Sequence, residues 1–323
     1  MNNEAFEKTK LSPGKTIIIG ISGGPDSVAL LIFLNEKKFP VIAAIFNHQL
    51  RKESDDDVIF VKNLAIKMGI PFVTENSDVR KYSETNSLTI EEAARILRYQ
   101  FLFAQARKYN AQAVAVGHTE DDQAETILMH LIRGAGLHGL KGMLPSVILP
   151  IFDKNIPIIR PLLSWSRIET ENYCKAAGIK PRIDQTNFDN HFFRNKIRQD
   201  LIPIIEKYNP NLKNSLSKTA KLLQGDLEII ENSIDIEWKL AVNQINSGYI
   251  EFNYSYLVHT THAVRRHILR RAVMTLEPEF PGLDFNTLEK AQSLEPCTLP
   301  GGFRIEKEGD SLFLITKNKI IIN

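Results

Sequence analysis

The stretch Ser22-Gly23-Gly24-Pro25-Asp26-Ser27 decides the fold of this chain, because an apolar strand leads into it and an apolar helix leaves it. The preceding residues, 16–21 (TIIIGI), are rich in β-branched side chains, as is typical of a strand buried on both faces. The following residues, 28–34 (VALLIFL), are continuously apolar and predict a helix that ends before Pro40. A strand, a tight glycine turn and a helix in this order predict an α/β domain with a parallel sheet.

The turn itself has the features of a phosphate cradle. Gly23 and Gly24 lack a Cβ, so their backbone N–H groups can approach an anion closely. The hydroxyls of Ser22 and Ser27 are further donors, and the positive end of the helix points at the same place. The turn is neither a Walker loop nor a G-x-G-x-x-G dinucleotide turn. The alternative is an ordinary structural turn, in which glycine, proline, aspartate and serine are all common.

The bulk composition is that of an ordinary globular protein. With 323 residues, of which 43% are hydrophobic and 24% charged, the chain is long enough for two domains. Its net charge of +2 means that a polyanion would have to be held by local basic patches. The two cysteines, Cys174 and Cys297, form neither a C-x-x-C pair nor a zinc pattern, which favours a reducing cytoplasm. No apolar run has the length of a signal peptide core or a membrane span, so no membrane partner is expected.

Polar residues follow two further predicted strands. Residues 41–46 and 113–116 are short apolar runs, and ligands of open α/β sheets bind outside the carboxyl ends of the strands. We therefore expect His48 to lie near the cradle, although a lone histidine is as often structural. Asp122 and Glu125 share one face of the helix that follows the later strand. They either complement the helix dipole or hold an ammonium group or Mg²⁺.

Several arginines lie where local stability does not require them. A capping box at residues 89–92 predicts a helix whose apolar stripe excludes Arg95 and Arg98. These two arginines form either a solvated face or a phosphate contact. Residues 194–198 (RNKIR) place cations at a predicted helix start, where they oppose the helix dipole and suggest a bound anion.

The last third of the chain predicts a second, smaller α+β domain. An apolar periodicity from Leu212 to Trp238 indicates a long connecting helix. Predicted after it are a strand at 249–252, helices at 256–276 and 283–294, and short strands at 298–299, 303–306 and 311–315. The helix at 256–276 carries Arg265, Arg266, Arg270 and Arg271, which form either a solvated face or a nucleic-acid-binding patch.

The turn at 22–27 resembles the SGGxDS loop of the PP-loop ATP pyrophosphatase superfamily. Members of that superfamily cleave ATP between the α and β phosphates and place AMP on a carbonyl oxygen. The resemblance implies that Ser22, Gly23, Gly24, Pro25, Asp26 and Ser27 cradle the pyrophosphate of ATP. It also makes Asp26 the contact to Mg²⁺, which suits an oxygen ligand for a hard cation.

An ordered set of further motifs resembles the tRNA(Ile)-lysidine synthetase family. The set comprises NHQLR (47–51), EEAAR with Arg98 (91–98), GHTEDDQAET (117–126), Arg133-Gly134, Arg160-Pro161-Leu162-Leu163, DQTN (184–187) and RNKIR (194–198). Each motif alone is weak, and their order along the first domain makes the resemblance specific. The family often has Asp where this chain has Asn47.

The resemblance implies ATP-dependent ligation of free L-lysine to the wobble cytidine of an isoleucine tRNA with a CAU anticodon. ATP adenylates the carbonyl oxygen of the cytosine, and the ε-amine of lysine displaces AMP from the same ring carbon, giving lysidine, AMP and diphosphate. The modified base reads AUA, so decoding changes from Met to Ile. The implied cofactors are ATP and Mg²⁺.

Residue roles follow from the same resemblance. The implied catalytic residues are Asp26, His48, Arg95, Asp122 and Glu125, of which Asp122 and Glu125 hold lysine. The implied contacts to tRNA or nucleotide phosphates are Arg98, Arg133, Arg160, Arg194, Arg198, Arg265, Arg266, Arg270 and Arg271.

The predicted organisation is a parallel-sheet, Rossmann-like PP-loop domain over residues 1–208, followed over residues 209–323 by a connector helix and a tRNA-binding α+β domain. LPGGFR (299–304) resembles the end of the family's central domain, so we expect a short form without the extra C-terminal domain. The resemblance is also consistent with a homodimer. Two alternatives stay open: a tRNA thiolase of the same superfamily, which normally needs paired cysteines, and a catalytically silent tRNA-binding protein.

Overall fold

The computed structural model describes residues 2–50, 54–182, 193–278, 280 and 282–317. The chain divides into two compact units between Leu223 and Gln224, within the long helix α11 (Leu212–Ala241). The preceding elements are α1 (Glu4–Glu7), β1 (Ile17–Gly20), α2 (Pro25–Glu36), β2 (Val41–Asn47), α3 (Ser54–Met68), β3 (Phe72–Asn76), α4 (Val79–Asn86), α5 (Ile90–Lys108), β4 (Ala113–Val116), α6 (Glu120–Ile132), α7 (Leu137–Leu140), β5 (Ser146–Ile148), β6 (Pro157–Ile159), α8 (Arg167–Ala176), α9 (Phe193–Lys196) and α10 (Ile202–Glu206).

The strands described in the first unit form a sheet in the order β3-β2-β1-β4-β6-β5. Neighbouring strands are parallel except for β5 and β6, which are antiparallel. From β1 the chain proceeds to β2 and β3 on one side, whereas β4 and β6 lie on the other, so the strand order reverses between β1 and β4. Open α/β sheets bind ligands at such a reversal, outside the carboxyl ends of the strands. The SGGPDS turn follows β1 and residues 117–119 follow β4, so both lie at this position.

The central strands are apolar throughout because helices cover both faces of the sheet. Ile17 and Ile19 pack with α2, α3 and α8 on one face, and Ile18 packs with α5 on the other. Successive strand side chains point to opposite faces, so each of these isoleucines is fully buried. Burial of such a side chain stabilises the fold by about 1.5–3 kcal/mol. The SGGPDS turn therefore follows a strand whose isoleucines are buried on both faces of the sheet.

Among its described residues, the second unit contains the C-terminal part of α11, an antiparallel sheet and three further α-helices. The strands pair in the order β7-β8-β11-β10-β9. The elements are β7 (Val242–Asn246), β8 (Tyr249–Asn253), α12 (Tyr254–His259), α13 (His262–Leu276), α14 (Phe285–Ala291), β9 (Cys297–Thr298), β10 (Arg304–Glu308) and β11 (Ser311–Ile315). Ile268 and Leu269 of α13 pack with Phe252 and Phe303 of the sheet side to form its core.

The structure confirms the predicted fold class, a parallel-sheet α/β domain followed by a long helix and a smaller α+β unit. The prediction of one helix over 256–276 is wrong. The segment forms α12 and α13, because the Thr261 side chain accepts the Val264 N–H and starts a new helix. Five elements of the described residues, α1, α4, α7, β5 and β7, lie in segments for which the sequence predicts no element.

Some predicted features lie outside the described residues or are not tested by the structure. Arg51 and residues 184–187 lie outside the described residues, and the domain boundary at 208/209 stays a prediction. Within the described ranges, no helix has the length and apolar character that a membrane crossing requires.

Candidate active site

The SGGPDS turn is a small loop that its own serines close. Gly23 has a φ of +87°, which L side chains rarely adopt, and a Cβ there would lie 3.4 Å from the Phe60 ring. The Ser27 hydroxyl accepts the N–H of Ser22 (3.1 Å) and donates to the Gly24 carbonyl (3.0 Å). Ser27 thus shapes the loop, whereas the Ser22 side chain is exposed. Helix α2 begins directly after Gly24, so the turn presents a helix N-terminus to an anion.

A close backbone approach joins this turn to the end of β4. A Cβ on Gly117 would lie 2.8 Å from the backbone carbonyl of Asp26 and 2.9 Å from the backbone nitrogen of Ser27. Glycine at this position therefore lets the first turn of α2 pack against the chain that leaves β4. Helix α6 begins three residues later, which brings its first-turn side chains beside the phosphate cradle.

Asp26 supplies the carboxyl group of the cradle. Its Oδ1 accepts a hydrogen bond from the hydroxyl of Thr170 in α8 (2.6 Å). Burial raises the pKa of Asp26 to about 6, against the opposing effect of the Thr170 hydrogen bond, and the nearby Asp122 raises it further. A carboxylate that is costly to ionise is stabilised by a cation. Because Mg²⁺ is usually held by one or two carboxylates together with substrate phosphates, Asp26 fits a magnesium–nucleotide site.

Asp122 and Glu125 share one face of α6, and both are paired with arginines. Glu125 is 1% exposed and accepts hydrogen bonds from Nε of Arg194 (2.6 Å) and Nε of Arg198 (2.5 Å). Asp122 accepts Nη2 of Arg194 at 2.7 Å, and its other oxygen accepts the N–H of Thr119 at 2.9 Å. We call Asp122, Glu125, Arg194 and Arg198 the acid–arginine cluster.

The arginines of this cluster come from a distant segment of the chain. Arg194 lies in α9, and Arg198 lies in a π-helical turn, Ile197–Leu201, that follows it. Such turns occur frequently at functional sites. Burial alone would raise the pKa of Asp122, but Arg194 holds it below the usual range. Burial likewise opposes the charge on both arginines, yet the carboxylates raise their pKa. A cationic ligand of Asp122 and Glu125 must therefore compete with these guanidinium groups.

His118 and Arg160 meet at the carboxyl ends of β4 and β6. Nε of Arg160 donates to Nδ1 of His118 (3.1 Å), and its Nη1 donates to the carbonyl of Leu144 (2.8 Å). Burial lowers the pKa of His118 to about 3; Asp122 opposes this shift and neighbouring arginines add to it. The imidazole is therefore neutral at physiological pH.

Helix α5 adds two more cations to this end of the sheet. The guanidinium carbons of Arg95 and Arg98 lie 5.0 and 5.3 Å from the ring centroid of Tyr99. Nε of Arg98 and the hydroxyl of Tyr99 are buried and have no hydrogen-bond partner in the described part of the chain. Arg95 lowers the pKa of Arg160 after the larger effect of burial. Buried donors without hydrogen-bond partners are rare in proteins. Nε of Arg98 and the Tyr99 hydroxyl are therefore candidates for hydrogen bonds to a ligand.

Comparison with known proteins agrees with this geometry. The family model of the PP-loop domain matches residues 2–205. The tRNA(Ile)-lysidine synthase of Clostridioides difficile is 35% identical over 97% of this chain and 69% of its own. The chain belongs to the tRNA(Ile)-lysidine synthase family. The synthases of Dehalococcoides mccartyi and Geobacter sulfurreducens are each 34% identical, over 92% and 90% of this chain and 64% and 61% of their own. The chain thus spans about two thirds of the length of these curated relatives.

The lysidine synthase family predicted from the motifs is therefore confirmed. Among solved structures, the U34-tRNA thiolase NcsA of Methanococcus maripaludis has a similar fold. It is 21% identical to this chain with a TM-score of 0.53, and the match covers 69% of this chain and 77% of that one. At this identity the likeness shows a shared fold.

The structure brings most of the residues predicted for the first unit to one end of the sheet. Those linked to one another near the carboxyl ends of β1, β4 and β6 are Asp26, Arg95, Arg98, Asp122, Glu125, Arg160, Arg194 and Arg198. His48 follows β2, one strand away, and packs edge-on against Phe46 with ring centroids 5.0 Å apart. Arg133 ends α6 and stacks on the Phe193 ring at 5.4 Å. Their roles in a lysidine synthase reaction stay predictions.

The predicted arginines of α13 mostly have partners within the second unit. Arg265 donates to backbone carbonyls at the end of α12. Arg266 pairs with Glu289, and Arg271 pairs with two acids of α11. Arg270 has no ion pair among the described residues, and burial lowers its pKa. These contacts give Arg265 a helix-capping role, and tRNA binding by the four arginines stays a prediction.

Besides the pairing within the acid–arginine cluster, sequence reasoning missed two contacts of the site. It gives no role to Thr170, which lies far along the chain from Asp26, and no local pattern predicts their hydrogen bond. It also leaves His118 and Arg160 unpaired. The sequence does contain a signal for the His118–Arg160 pair. Each residue closely follows a predicted strand, and the carboxyl ends of parallel strands meet at one edge of the sheet.

Proposed function

We propose that this protein ligates free L-lysine to the wobble cytidine of an isoleucine tRNA bearing a CAU anticodon. The cytosine carbonyl oxygen attacks the α phosphate of ATP and diphosphate leaves. The ε-amine of lysine then attacks the ring carbon that bears this oxygen and gives up a proton, and the former carbonyl oxygen departs as part of AMP. A cytosine carbonyl is a poor electrophile, so adenylation creates the leaving group that the free base lacks. Family membership supports this proposal, since the curated relatives carry the name of this activity.

ATP is proposed to bind at the SGGPDS turn. The N-terminus of α2 favours the phosphates there, and Arg95 and Arg98 place two further cations at the same end of the sheet. The residues present fit Mg²⁺, which Asp26 would hold and which would neutralise charge on the departing diphosphate. Ser27 keeps the loop in shape through its bonds to Ser22 and Gly24.

Asp122 and Glu125 are proposed to hold an ammonium group of lysine. Both carboxyl groups bind guanidinium groups of Arg194 and Arg198 in the free protein, so lysine has to displace at least one of them. A displaced guanidinium stays beside the cradle, where it can bind a phosphate oxygen of the nucleotide. Binding of lysine and binding of the nucleotide would then favour each other.

One observation carries the proposal: two carboxyl groups, of which that of Glu125 is fully buried, lie beside a phosphate cradle at the reversal of strand order. A cradle for ATP and an acidic site for a diamine, next to each other, are what the joining of an amine to an adenylated carbonyl requires. Phosphates of the tRNA are proposed to contact Arg133 and the arginines of α13, and the base leaves its stack to reach the site. The reaction is expected in the cytoplasm, and a homodimer stays a prediction.

Nucleoside mass analysis tests the proposal. Unmodified isoleucine tRNA with a CAU anticodon is incubated with the protein, lysine and magnesium ATP. We expect a lysine adduct on the wobble cytidine, with AMP and diphosphate released in equal amounts. The same tRNA with uridine at the wobble position serves as control and should give no adduct. AMP release without an adduct would support the adenylation step but contradict lysine as the nucleophile. No adduct and no AMP would overturn the proposal.

A further inference from the structure

Arg160 is a buried cation without an anionic partner. It is 5% exposed, and within the described residues its guanidinium contacts no carboxylate. Its hydrogen bonds run instead to Nδ1 of His118 (3.1 Å) and to the carbonyl oxygen of Leu144 (2.8 Å). A buried charge that lacks a counter-ion is costly. The sequence-based role for Arg160, a contact to phosphate, does not account for its bond to a histidine.

The chemistry of the two side chains fixes the protonation of the histidine. A guanidinium group donates hydrogen bonds and accepts none, so Nδ1 of His118 must be the acceptor. An accepting Nδ1 carries no proton, and a neutral imidazole then carries its single proton on Nε2. An imidazolium would direct an N–H at the guanidinium and lose the bond.

We propose that Arg160 is a positioning residue that fixes His118 as a neutral ring with its N–H on Nε2, where it can donate to an oxygen atom of the substrate. Nε2 has no hydrogen-bond partner among the described residues, so its proton is free for a ligand. The identity of that ligand, an oxygen of the nucleotide or of the adenylated base, rests on the proposed function.

The groups around His118 support a neutral donor. Asp122 on α6 favours the charged ring, whereas Arg98 on α5, Arg160 after β6 and Arg194 on α9 disfavour it, and burial does so most strongly. A neutral imidazole donates a hydrogen bond without adding a charge to a site that already holds several guanidinium groups. The same ring in its other tautomer would present a lone pair to the substrate oxygen and repel it.

Long-range ¹⁵N–¹H NMR of the histidine rings tests the assignment on the unaltered protein. His118 is identified by the resonances that disappear in His118→Asn. We expect the proton of His118 on Nε2, with no change of form between pH 5.5 and 8.5. A proton on Nδ1, or titration of the ring within this range, would overturn the proposal. This measurement needs no activity, so it stands even if the protein forms no lysine adduct.

Two variants of Arg160 distinguish positioning from support of the fold. Arg160→Gln should lower kcat on the order of 10- to 100-fold, because the ring loses its fixed orientation, with KM for ATP and lysine changed less than about twofold. Arg160→Lys keeps a cationic donor and should recover part of kcat and the Nε2–H form. If both variants lose kcat equally, and in proportion to a loss of folded protein measured by circular dichroism, Arg160 has only a structural role.

Discussion

Nε of Arg198 lies 2.5 Å from Oε1 of Glu125, and Nε of Arg194 lies 2.6 Å from Oε2. Guanidinium groups therefore occupy both oxygens of a carboxylate that is 1% exposed. An ammonium group of lysine would need one of these positions, so the free protein contains a competitor for its proposed substrate. A hydrogen bond to a charged group contributes about 1.5–3 kcal/mol, which corresponds to a tenfold or larger effect on affinity.

Replacing Arg198 by glutamine should therefore strengthen lysine binding. The amide carries no charge, while Arg194 still pairs with Glu125 and limits the loss of stability. We expect the Kd for lysine, measured by calorimetry without tRNA, to fall by roughly tenfold. Arg107→Gln is the matched control, since Arg107 pairs with Asp153 at the other end of α5, and its Kd should equal that of the wild type. Weaker lysine binding in Arg198→Gln would mean that Arg198 orients Glu125 and does not compete.

Asp26→Asn should stabilise the protein at neutral pH while it abolishes ATP turnover. The pKa of Asp26 is raised from 3.8 to about 6, so between these values the folded protein binds more protons than the unfolded chain and its free energy of unfolding falls as pH rises. Since each pKa unit corresponds to 1.36 kcal/mol and the carboxyl group is partly exposed, we expect a gain of about 1–2 kcal/mol above pH 6. Thermal unfolding at pH 4 and 7.5 measures it.

The gain from Asp26→Asn should disappear at pH 4, where the wild-type carboxyl group is protonated in the folded state. Asp56→Asn serves as control, because that side chain is 62% exposed and its contact to Arg182, at 3.7 Å, is a surface pair. Loss of such a pair should change the free energy of unfolding by less than about 1 kcal/mol, and equally at both pH values. Equal melting temperatures of wild type and Asp26→Asn at pH 7.5 would contradict the raised pKa.

Asn47→Asp should destabilise the first unit through Asp55. Nδ2 of Asn47 donates to Oδ1 of Asp55 at 2.7 Å, and Asn47 is largely buried. An aspartate would place a second carboxylate beside the exposed carboxylate of Asp55. Because the buried side chain at position 47 would lose its hydrogen bond, we expect a cost of about 1–3 kcal/mol. Urea unfolding at pH 7.5 should show this loss. The double variant Asn47→Asp with Asp55→Asn should recover the lost stability. If it does not, the destabilisation does not arise from repulsion by Asp55.

Two arginines of α13 should behave oppositely on replacement by glutamine. Arg270 lacks an ion pair in the described structure, so Arg270→Gln should weaken tRNA binding and reduce the slope of log K against log salt by about 1, with little loss of stability. Arg265 donates to carbonyls at the end of α12, so Arg265→Gln should lower the melting temperature. Filter binding at several salt concentrations measures the effect on tRNA binding, and thermal unfolding measures the effect on stability. An unchanged salt slope in Arg270→Gln would mean that Arg270 lies on a solvated face and does not contact tRNA.

Elements with strong local signals were predictable from the sequence. The run of β-branched residues before the SGGPDS turn predicts β1, and the capping box at Thr89 predicts the start of α5. Helix α4 (Val79–Asn86) and strand β7 (Val242–Asn246) escape prediction because both are mostly polar. Burial of Val79 and Ser83 favours α4, whereas β7 is largely exposed and depends on its pairing with β8. The break between α12 and α13 depends on a threonine cap in a segment whose apolar spacing suits one helix.

The candidate site was predictable only where residues lie close in sequence. Asp122 and Glu125 are three residues apart on one helix, and their shared face follows from helix geometry. Their pairing with Arg194 and Arg198 joins segments about seventy residues apart, and no spacing rule predicts such a contact. The hydrogen bond from Thr170 to Asp26 spans a still longer separation and depends on how α8 packs against α2.

Arg95, Arg98 and Arg160 lie near the carboxyl end of the sheet and have no ion pair among the described residues. These three positive charges remain when ATP has been converted to AMP and diphosphate. Diphosphate and AMP would leave against the same attraction that draws ATP in, so we expect product departure to limit turnover, and phosphate or sulfate buffers to slow the protein by occupying the site.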